Sequence, residues 1–296
     1  MNIQTYKNQD LKSLWSSKAY DKYQYAQWNK LYYPFNFWND KSNGQFFKTD
    51  THRDNERTIL EIGSAMGRGY EFLRSSMAIQ PKNFTGIDIT NTGINYCKEN
   101  YPEANWIQSD FSSYEFTKKY DFSYERHSIH HMPEPMEQFK KILDNTNCAF
   151  CSTFRGCIEP GTVSDLRLGR FSISDSGIFF LNIISVPDLI ALAIDSGFNR
   201  IKVVYRGLHE TISSKQLNQN ESGWFLDEAV AREKTLIYSQ LFAARASDPK
   251  ISVEVCYSQG LRGIKLRLIQ AREFRRLSKA ISLINNRIVL TRLIPS

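Results

Sequence analysis

The stretch TILEIGSAMGRG, Thr58 to Gly69, constrains this chain more than any other. A short apolar run, Ile59, Leu60 and Ile62, carries one acid, Glu61. It gives way to a glycine-rich turn, from which Arg68, Tyr70, Glu71, Phe72 and Leu73 start a helix. Short β-branched runs suit strands buried on both faces of a parallel sheet. Gly63 and Gly67 allow a sharp turn and leave no Cβ between the backbone and a ligand. The helix that follows directs unpaired amide groups at whatever binds there. Strand, glycine turn and helix in this order serve a nucleotide-like ligand, a signal that several cofactors share.

From Thr58 onward the pattern alternates strand and helix. Strands are predicted at 58–62, 84–89, 105–110, 120–125 and 148–154, with helices near 68–78, 91–100 and 134–144 between them. That alternation predicts a parallel sheet with helices on both faces. A short strand at 178–184 precedes a helix with Ser185 as its N-cap, Pro187 in its first turn and Gly197 as its stop. A strand at 200–206 follows, then an insertion over 207–250 with a helix near 226–246. ISVEVCYS and GIKLRLIQ, split by QGLRG, read as a terminal hairpin within 251–269. Residues 1–57 form an aromatic-rich helical cap, and residues 270–296 an amphipathic helix with Phe274, Leu277, Ile281, Ile284 and Ile288 on one face.

With 296 residues, the chain can bury the core of one α/β domain plus additions. Its opening residues lack an apolar leader and no window resembles a membrane span, so a cytoplasmic location is expected. Five cysteines, including a CxxC at Cys148 and Cys151 inside an apolar run, read as reduced thiols rather than a disulfide framework or zinc site. The net charge of +7 is uneven: the segment from Leu261 carries +8 and the preceding 260 residues sum to −1.

In an open parallel sheet, ligands bind at the carboxyl ends of the strands. Polar residues gather at those ends: Glu61 and the glycine turn, then Asp88, Asp110, and Glu125-Arg126-His127. Asp88, some twenty residues past the turn, is placed to accept hydrogen bonds from ribose hydroxyls, and Asp110 to receive an adenine amino group. Either could instead serve as a helix cap or turn residue. Taken together, ILEIGSAMG, FTGIDIT, WIQSDF, YDFSYERHSIHHMPEP and the later SVPDLIALAIDSGFNRIKVV resemble the class I S-adenosylmethionine-dependent methyltransferases. The resemblance implies a Rossmann-like, doubly wound and mostly parallel seven-stranded sheet over 58–206, closed by the strands of 251–269. It implies S-adenosylmethionine as cofactor, with Gly63, Ala65 and Gly67 at its methionine part, Asp88 at ribose and Asp110 at adenine, and with Glu61, Ile89 and Phe111 as further cofactor-binding candidates. Ala65 departs from the family, which usually has glycine there.

GSAMGRG also fits the GxxxGxG spacing of short-chain dehydrogenases. Against an NAD reading stand the 57 residues before the turn, Glu61 where a small residue is expected, and the lack of a well-spaced Tyr-x-x-x-Lys. Methyl transfer is an in-line displacement served by positioning, with a base where the acceptor must lose a proton. His127 and His130 are the candidate bases or acceptor contacts, and no metal site is expected. The acceptor is expected to be a small polar molecule, such as a sugar or lipid-linked glycan intermediate, methylated on oxygen. Peripheral contact of 270–296 with an anionic membrane ranks above nucleic-acid binding by that tail. The competing readings are an RNA methyltransferase and a non-catalytic binding module.

Overall fold

The computed structural model describes residues 56–77, 79–162, 166–170, 176–180, 182–208, 236–257, 275, 279 and 289–293. Residues 1–55 of the aromatic cap, residues 209–235 of the insertion and the strand expected at GIKLRLIQ lie outside them. Four parallel strands lie side by side: β1 (Ile59–Ile62) and β2 (Phe84–Asp88), buried throughout, β4 (Tyr120–Arg126), mostly buried, and the edge strand β3 (Asn105–Gln108), with both ends exposed. The longest strand, β5 (Thr146–Cys157), follows in chain order. Between them run α1 (Arg68–Met77), α2 (Asn91–Asn100) and α3 (Pro135–Asp144).

After β5 come a separate antiparallel hairpin, β6 (Leu166–Arg170) and β7 (Ser176–Phe180), and the two-residue β8 (Ile184–Ser185). α4 (Val186–Asp195) starts where Ser185 Oγ accepts a hydrogen bond from the Asp188 amide at 3.2 Å, with Pro187 in the first turn. Gly197, at φ 87°, ends it as expected of a left-handed stop. β9 (Arg200–Leu208), β10 (Leu236–Ala244), β11 (Ser252–Tyr257) and β12 (Val289–Leu293) complete the sheet. Its order is β12-β11-β9-β10-β5-β4-β1-β2-β3, with β8 paired to β5 off that path. Every pairing is parallel except those of β10 with β5 and β9.

The α/β doubly wound class is thus the one expected, and the strand count is larger than seven. Three local expectations are corrected. Residues 236–244 are a strand rather than part of a helix; from Ser239 to Ala244 successive residues are all buried between β5 and β9, which leaves no alternation to distinguish the run from a buried helix. The apolar run at 178–184 divides between β7 and β8, with Asn182 between them. Residues 289–293 pair in parallel with β11, so the basic tail does not continue as one helix and 251–258 is no half of a simple hairpin. Arg275 and Lys279, the described part of the tail before that strand, are helical and exposed.

Two apolar layers flank the sheet. Tyr70 and Leu73 of α1 and Ile94 and Cys97 of α2 pack on one face with Phe84, Phe122 and Phe242. Phe139, Ile142 and Leu143 of α3 and Leu189, Ile190 and Ala193 of α4 pack on the other with Ile62, Phe150 and Val203. Burying each such side chain contributes roughly 1.5–3 kcal/mol, which fixes the strand ends relative to one another. Among the described residues, no helix is long and apolar enough to cross a membrane.

Candidate active site

The loop after β1 is locked onto the end of β2. The amides of Gly63 and Ser64 both donate to the Ile87 carbonyl, at 2.8 and 3.1 Å, and the Ala65 amide donates to Asp88 Oδ2 at 2.7 Å. Gly63 has φ 72°, and a Cβ there would collide with Ser128 Oγ at 1.8 Å, so only glycine serves. Ala65 has φ 46°, in the same left-handed region without glycine's freedom, which costs about 1–2 kcal/mol. The loop holds that strain through its bond to Asp88.

Asp88 is buried, and three of its four acceptor positions are used: Oδ2 by Ala65, and Oδ1 by the Thr90 amide at 2.8 Å and the Thr90 hydroxyl at 2.6 Å. Burial raises its pKa and the Thr90 and Ala65 hydrogen bonds oppose that rise. Asp88 therefore shapes the loop before it binds anything. Asp110 closes its own turn, with Oδ1 accepting from the Ser112 amide at 2.9 Å and the Ser112 hydroxyl at 2.6 Å, while Oδ2 accepts no hydrogen bond from the described residues. Ile89 is half-buried beside Asp88. The Phe111 ring sits in the core on the α3 side, against Tyr114, Phe116 and the Lys141 ammonium, so that only its backbone is available at this end of the sheet.

Glu61 is buried beneath α1, and its Oε2 has no hydrogen-bond partner. Burial pushes its pKa up to about 8, against the opposing pull of the Arg126 guanidinium and the Tyr124 hydroxyl. Ser64 Oγ, in the loop itself, is likewise buried and unpartnered.

At the end of β4, Glu125 caps the turn that follows: its Oε2 accepts from the Ser128 and Ile129 amides at 2.9 and 3.2 Å, and its Oε1 from the Ser152 hydroxyl. His127, at φ 56°, donates its amide to the Thr153 carbonyl at 2.9 Å. The 3-10 turn Ile129–His131 brings His130 Nε2 within 3.0 Å of His131 Nε2 and the His130 ring 5.3 Å from that of His127. Burial, and then the positive charge of Arg155 and Arg126, lowers the His127 pKa to about 3. His130 is also lowered, by burial first and its neighbouring histidines next. Both rings are neutral at physiological pH. Among the described residues, no group of three or more His, Cys, Asp or Glu side chains could hold a metal ion.

Sequence reasoning brought Glu61, Gly63, Ala65, Gly67, Asp88 and Asp110 to one end of the sheet, and the structure places them there with His127 and His130. It missed Ser128, which fills the space over Gly63, and Asn182, which holds the histidine turn by donating its amide and Nδ2 to the His130 carbonyl at 2.8 and 3.0 Å and its Nδ2 to the Met132 carbonyl at 2.7 Å. It also missed Arg155, whose one signal was a basic residue at the end of an apolar run.

A doubly wound sheet, a glycine turn bonded to the neighbouring strand, and acids at successive strand tips define a Rossmann-like nucleotide-cofactor domain. Residues 59–146 match the family model described as a methyltransferase domain. Residues 59–146 thus carry a class I S-adenosylmethionine-dependent methyltransferase domain. Its fold is similar to that of Haemonchus contortus phosphoethanolamine N-methyltransferase 2 in complex with S-adenosyl-L-methionine: TM-score 0.53 and 14% identity, covering 81% of this chain and 60% of that one. The chain thus spans about 60% of that protein's length. The same methyltransferase with phosphomonomethylethanolamine and S-adenosylhomocysteine gives TM-score 0.46 and 14% identity, covering 71% and 53%. A putative S-adenosylmethionine-dependent methyltransferase from Listeria monocytogenes gives 0.42 and 11%, covering 66% and 95%. No curated protein matches the chain in sequence.

Proposed function

We propose that this chain transfers a methyl group from S-adenosylmethionine to a small polar acceptor, with oxygen the favoured acceptor atom. One observation carries the reading: around a strained, pre-shaped glycine turn, polar atoms at the tips of β1, β2 and β3 keep hydrogen-bonding capacity that the fold does not use. These are Glu61 Oε2, Ser64 Oγ, the remaining acceptor position of Asp88, and Asp110 Oδ2. Buried polar groups without partners are rare unless something else satisfies them.

The residues present fit the cofactor's chemistry. Glu61 offers a carboxyl that a ligand ammonium would ionise, Asp88 an acceptor for ribose hydroxyls, and Asp110 an acceptor for the adenine amino group. Bound there, the sulfonium supplies an electrophilic methyl carbon. The chain's own contribution is positioning, because an in-line displacement gains most from alignment. The neutral imidazole of His127 can accept a hydrogen bond from an acceptor hydroxyl and orient its lone pair. A sugar or lipid-linked glycan intermediate suits the aromatic N-terminal segment, whose rings can cover apolar sugar faces.

Titration calorimetry with S-adenosylhomocysteine tests the reading. The wild type should bind, and Asp88→Ala should bind much more weakly; a wild type that binds nothing would remove the assignment.

A further inference from the structure

We infer that the outer edge of β3 docks a protein partner through an extended acidic segment, which adds a strand to the sheet between Lys98 and Lys118. Nothing in this docking depends on what the carboxyl ends of the strands bind.

β3 ends the sheet order and pairs only with β2. The Ser109 amide donates to the Asp88 carbonyl at 2.9 Å, which sets the phase of that ladder. In a parallel pair, alternate residues turn both backbone groups to the same neighbour. Asn105 and Ile107 therefore face β2, while Trp106 and Gln108 turn an amide and a carbonyl outward. Among the described residues, none accepts from or donates to those four groups. Free edges are commonly blunted by charge or proline on the strand itself. β3, with the sequence NWIQ, carries neither. A cleft of about 520 Å³ lies against it, bounded on one side by Lys98 and on the other by Tyr114 and Lys118.

The two lysines flank the edge from opposite faces of the sheet. Lys98 sits on α2, whose Ile94 and Cys97 pack with the Trp106 ring on one face. Lys118 Nζ lies 5.0 Å from the centroid of the Tyr120 ring, which packs with Ile107 on the other. Both lysines are exposed, and neither ammonium has an ion pair among the described residues. No carboxylate lines the cleft. Glu103, close by in sequence, is taken by the Tyr70 hydroxyl at 2.6 Å and Arg74 at 2.9 Å, and the charge of Glu115 acts on Lys141.

An extended acidic segment matches both features. Its backbone would pair with the outward groups of Trp106 and Gln108, as in other strand additions to a sheet edge. Successive side chains of a strand point to opposite faces, so acids an odd number of residues apart would reach Lys98 and Lys118 together. A second copy of this chain fits less well. Pairing through the same edge about a two-fold axis would bring its own Lys98 and Lys118 to the seam, like charge against like. A helix would leave the outward backbone groups without partners.

The probe is a fluorescein-labelled hexapeptide, Thr-Glu-Val-Thr-Glu-Val, titrated into the whole chain and followed by anisotropy. It should bind about tenfold or more tightly than its lysine counterpart, Thr-Lys-Val-Thr-Lys-Val. It should also bind more tightly than Thr-Glu-Val-Glu-Thr-Val, whose acids share one face. Methylating alternate backbone nitrogens on the edge-facing side of the acidic peptide should weaken it about tenfold or more. Lys98→Glu combined with Lys118→Glu should reverse the preference and favour the lysine peptide. Gln108→Pro removes only an outward amide, a change that edge strands accept, and should weaken the acidic peptide about threefold or more. If that variant fails to fold, the methylated peptide on the wild type decides. No binding at about millimolar peptide overturns the inference. So does binding that ignores both methylation and acid spacing, which is charge attraction alone. A dimer in sedimentation that Gln108→Pro disperses would give the edge to a second copy and overturn it too.

Discussion

Replacing Asp88 with alanine should do more than remove a ligand contact; it should release the loop that the ligand needs. The carboxylate accepts three hydrogen bonds, from the Ala65 amide at 2.7 Å, the Thr90 amide at 2.8 Å and the Thr90 hydroxyl at 2.6 Å. Hydrogen bonds to a charged group contribute about 1.5–3 kcal/mol each, and an orphaned buried donor costs about 1–3 kcal/mol. The carboxylate's own burial cost, visible in its raised pKa, works against that sum. A net loss of about 3–5 kcal/mol follows, with the Thr90 hydroxyl free to find another acceptor. For a chain of this size that lowers Tm by roughly 6–15 °C. Ala65 would then lose the bond that holds it at φ 46°, and affinity for S-adenosylhomocysteine should fall by more than about tenfold. Asp88→Asn keeps one acceptor oxygen and should lose about half as much stability. Thermal unfolding and calorimetric titration of both variants measure these effects. An Asp88→Ala protein that melts within about 2 °C of the wild type and binds unchanged would refute the reasoning. The two amides on the Ile87 carbonyl would then suffice to hold the loop.

Other outcomes follow from the same geometry. Ala65→Gly relieves a left-handed cost of about 1–2 kcal/mol but adds about 0.4–1 kcal/mol of unfolded-state entropy, so urea unfolding should show a gain of about 0–1.5 kcal/mol. A loss above about 1 kcal/mol would contradict the strain. Gly93→Ala places a Cβ 2.5 Å from the Ala65 carbonyl oxygen, which is backbone and cannot rotate away. It should therefore destabilise by about 1–3 kcal/mol and weaken S-adenosylhomocysteine binding, despite alanine's better helix propensity. For Glu61, whose pKa rises from 4.5 to about 8, the folded chain holds a proton that the unfolded chain has released between those values. Its contribution thus falls as pH rises through that window, by on the order of several kcal/mol. Glu125, raised to about 7, acts in the same sense over the lower part of the window. Glu61→Gln should accordingly gain stability relative to the wild type between pH 5 and pH 8 in unfolding experiments; a constant difference would show that Glu61 does not titrate there.

Much of this was legible in the sequence because each signal had a local physical cause. The strand, turn and helix at 58–77 could be read because the glycines are compelled by φ and by Ser128 behind Gly63. The α4 boundaries were read from Ser185, Pro187 and Gly197, each with a fixed role at a helix end. Reading failed where a segment's partner decides its form. LIYSQLFAA lies between β5 and β9, and with both faces buried from Ser239 to Ala244 its pattern has no period to report. Asp110 was read correctly as a strand-tip acid, but not its bond to Ser112, which commits one oxygen before any ligand arrives. Arg155, whose charge acts on His127, escaped because it lies where β5 outruns β4, a difference of lengths that only the register shows.

Strain marks the same end of the sheet. Among the described residues, three other than glycine have positive φ: Ala65 at 46°, His127 at 56° and Glu134 at 46°. All follow β1 or β4, the adjacent central strands, on their carboxyl side. Such conformations persist only where surrounding bonds over-determine them. Each has its restraint. Asp88 holds the Ala65 amide, the Thr153 carbonyl holds that of His127, and the Glu134 carbonyl accepts the Glu137 and Gln138 amides at 3.0 and 3.2 Å. The first two restraints are bonds between a loop and a neighbouring strand and the third is the first turn of α3, so the loops keep their shape without a ligand. A glycine at position 65 would reach the same turn without the cost, and it would also let the turn relax. Alanine, clamped by Asp88, narrows the loop to one geometry. For a displacement reaction governed by alignment, a site held in one shape before binding loses less entropy when the cofactor arrives.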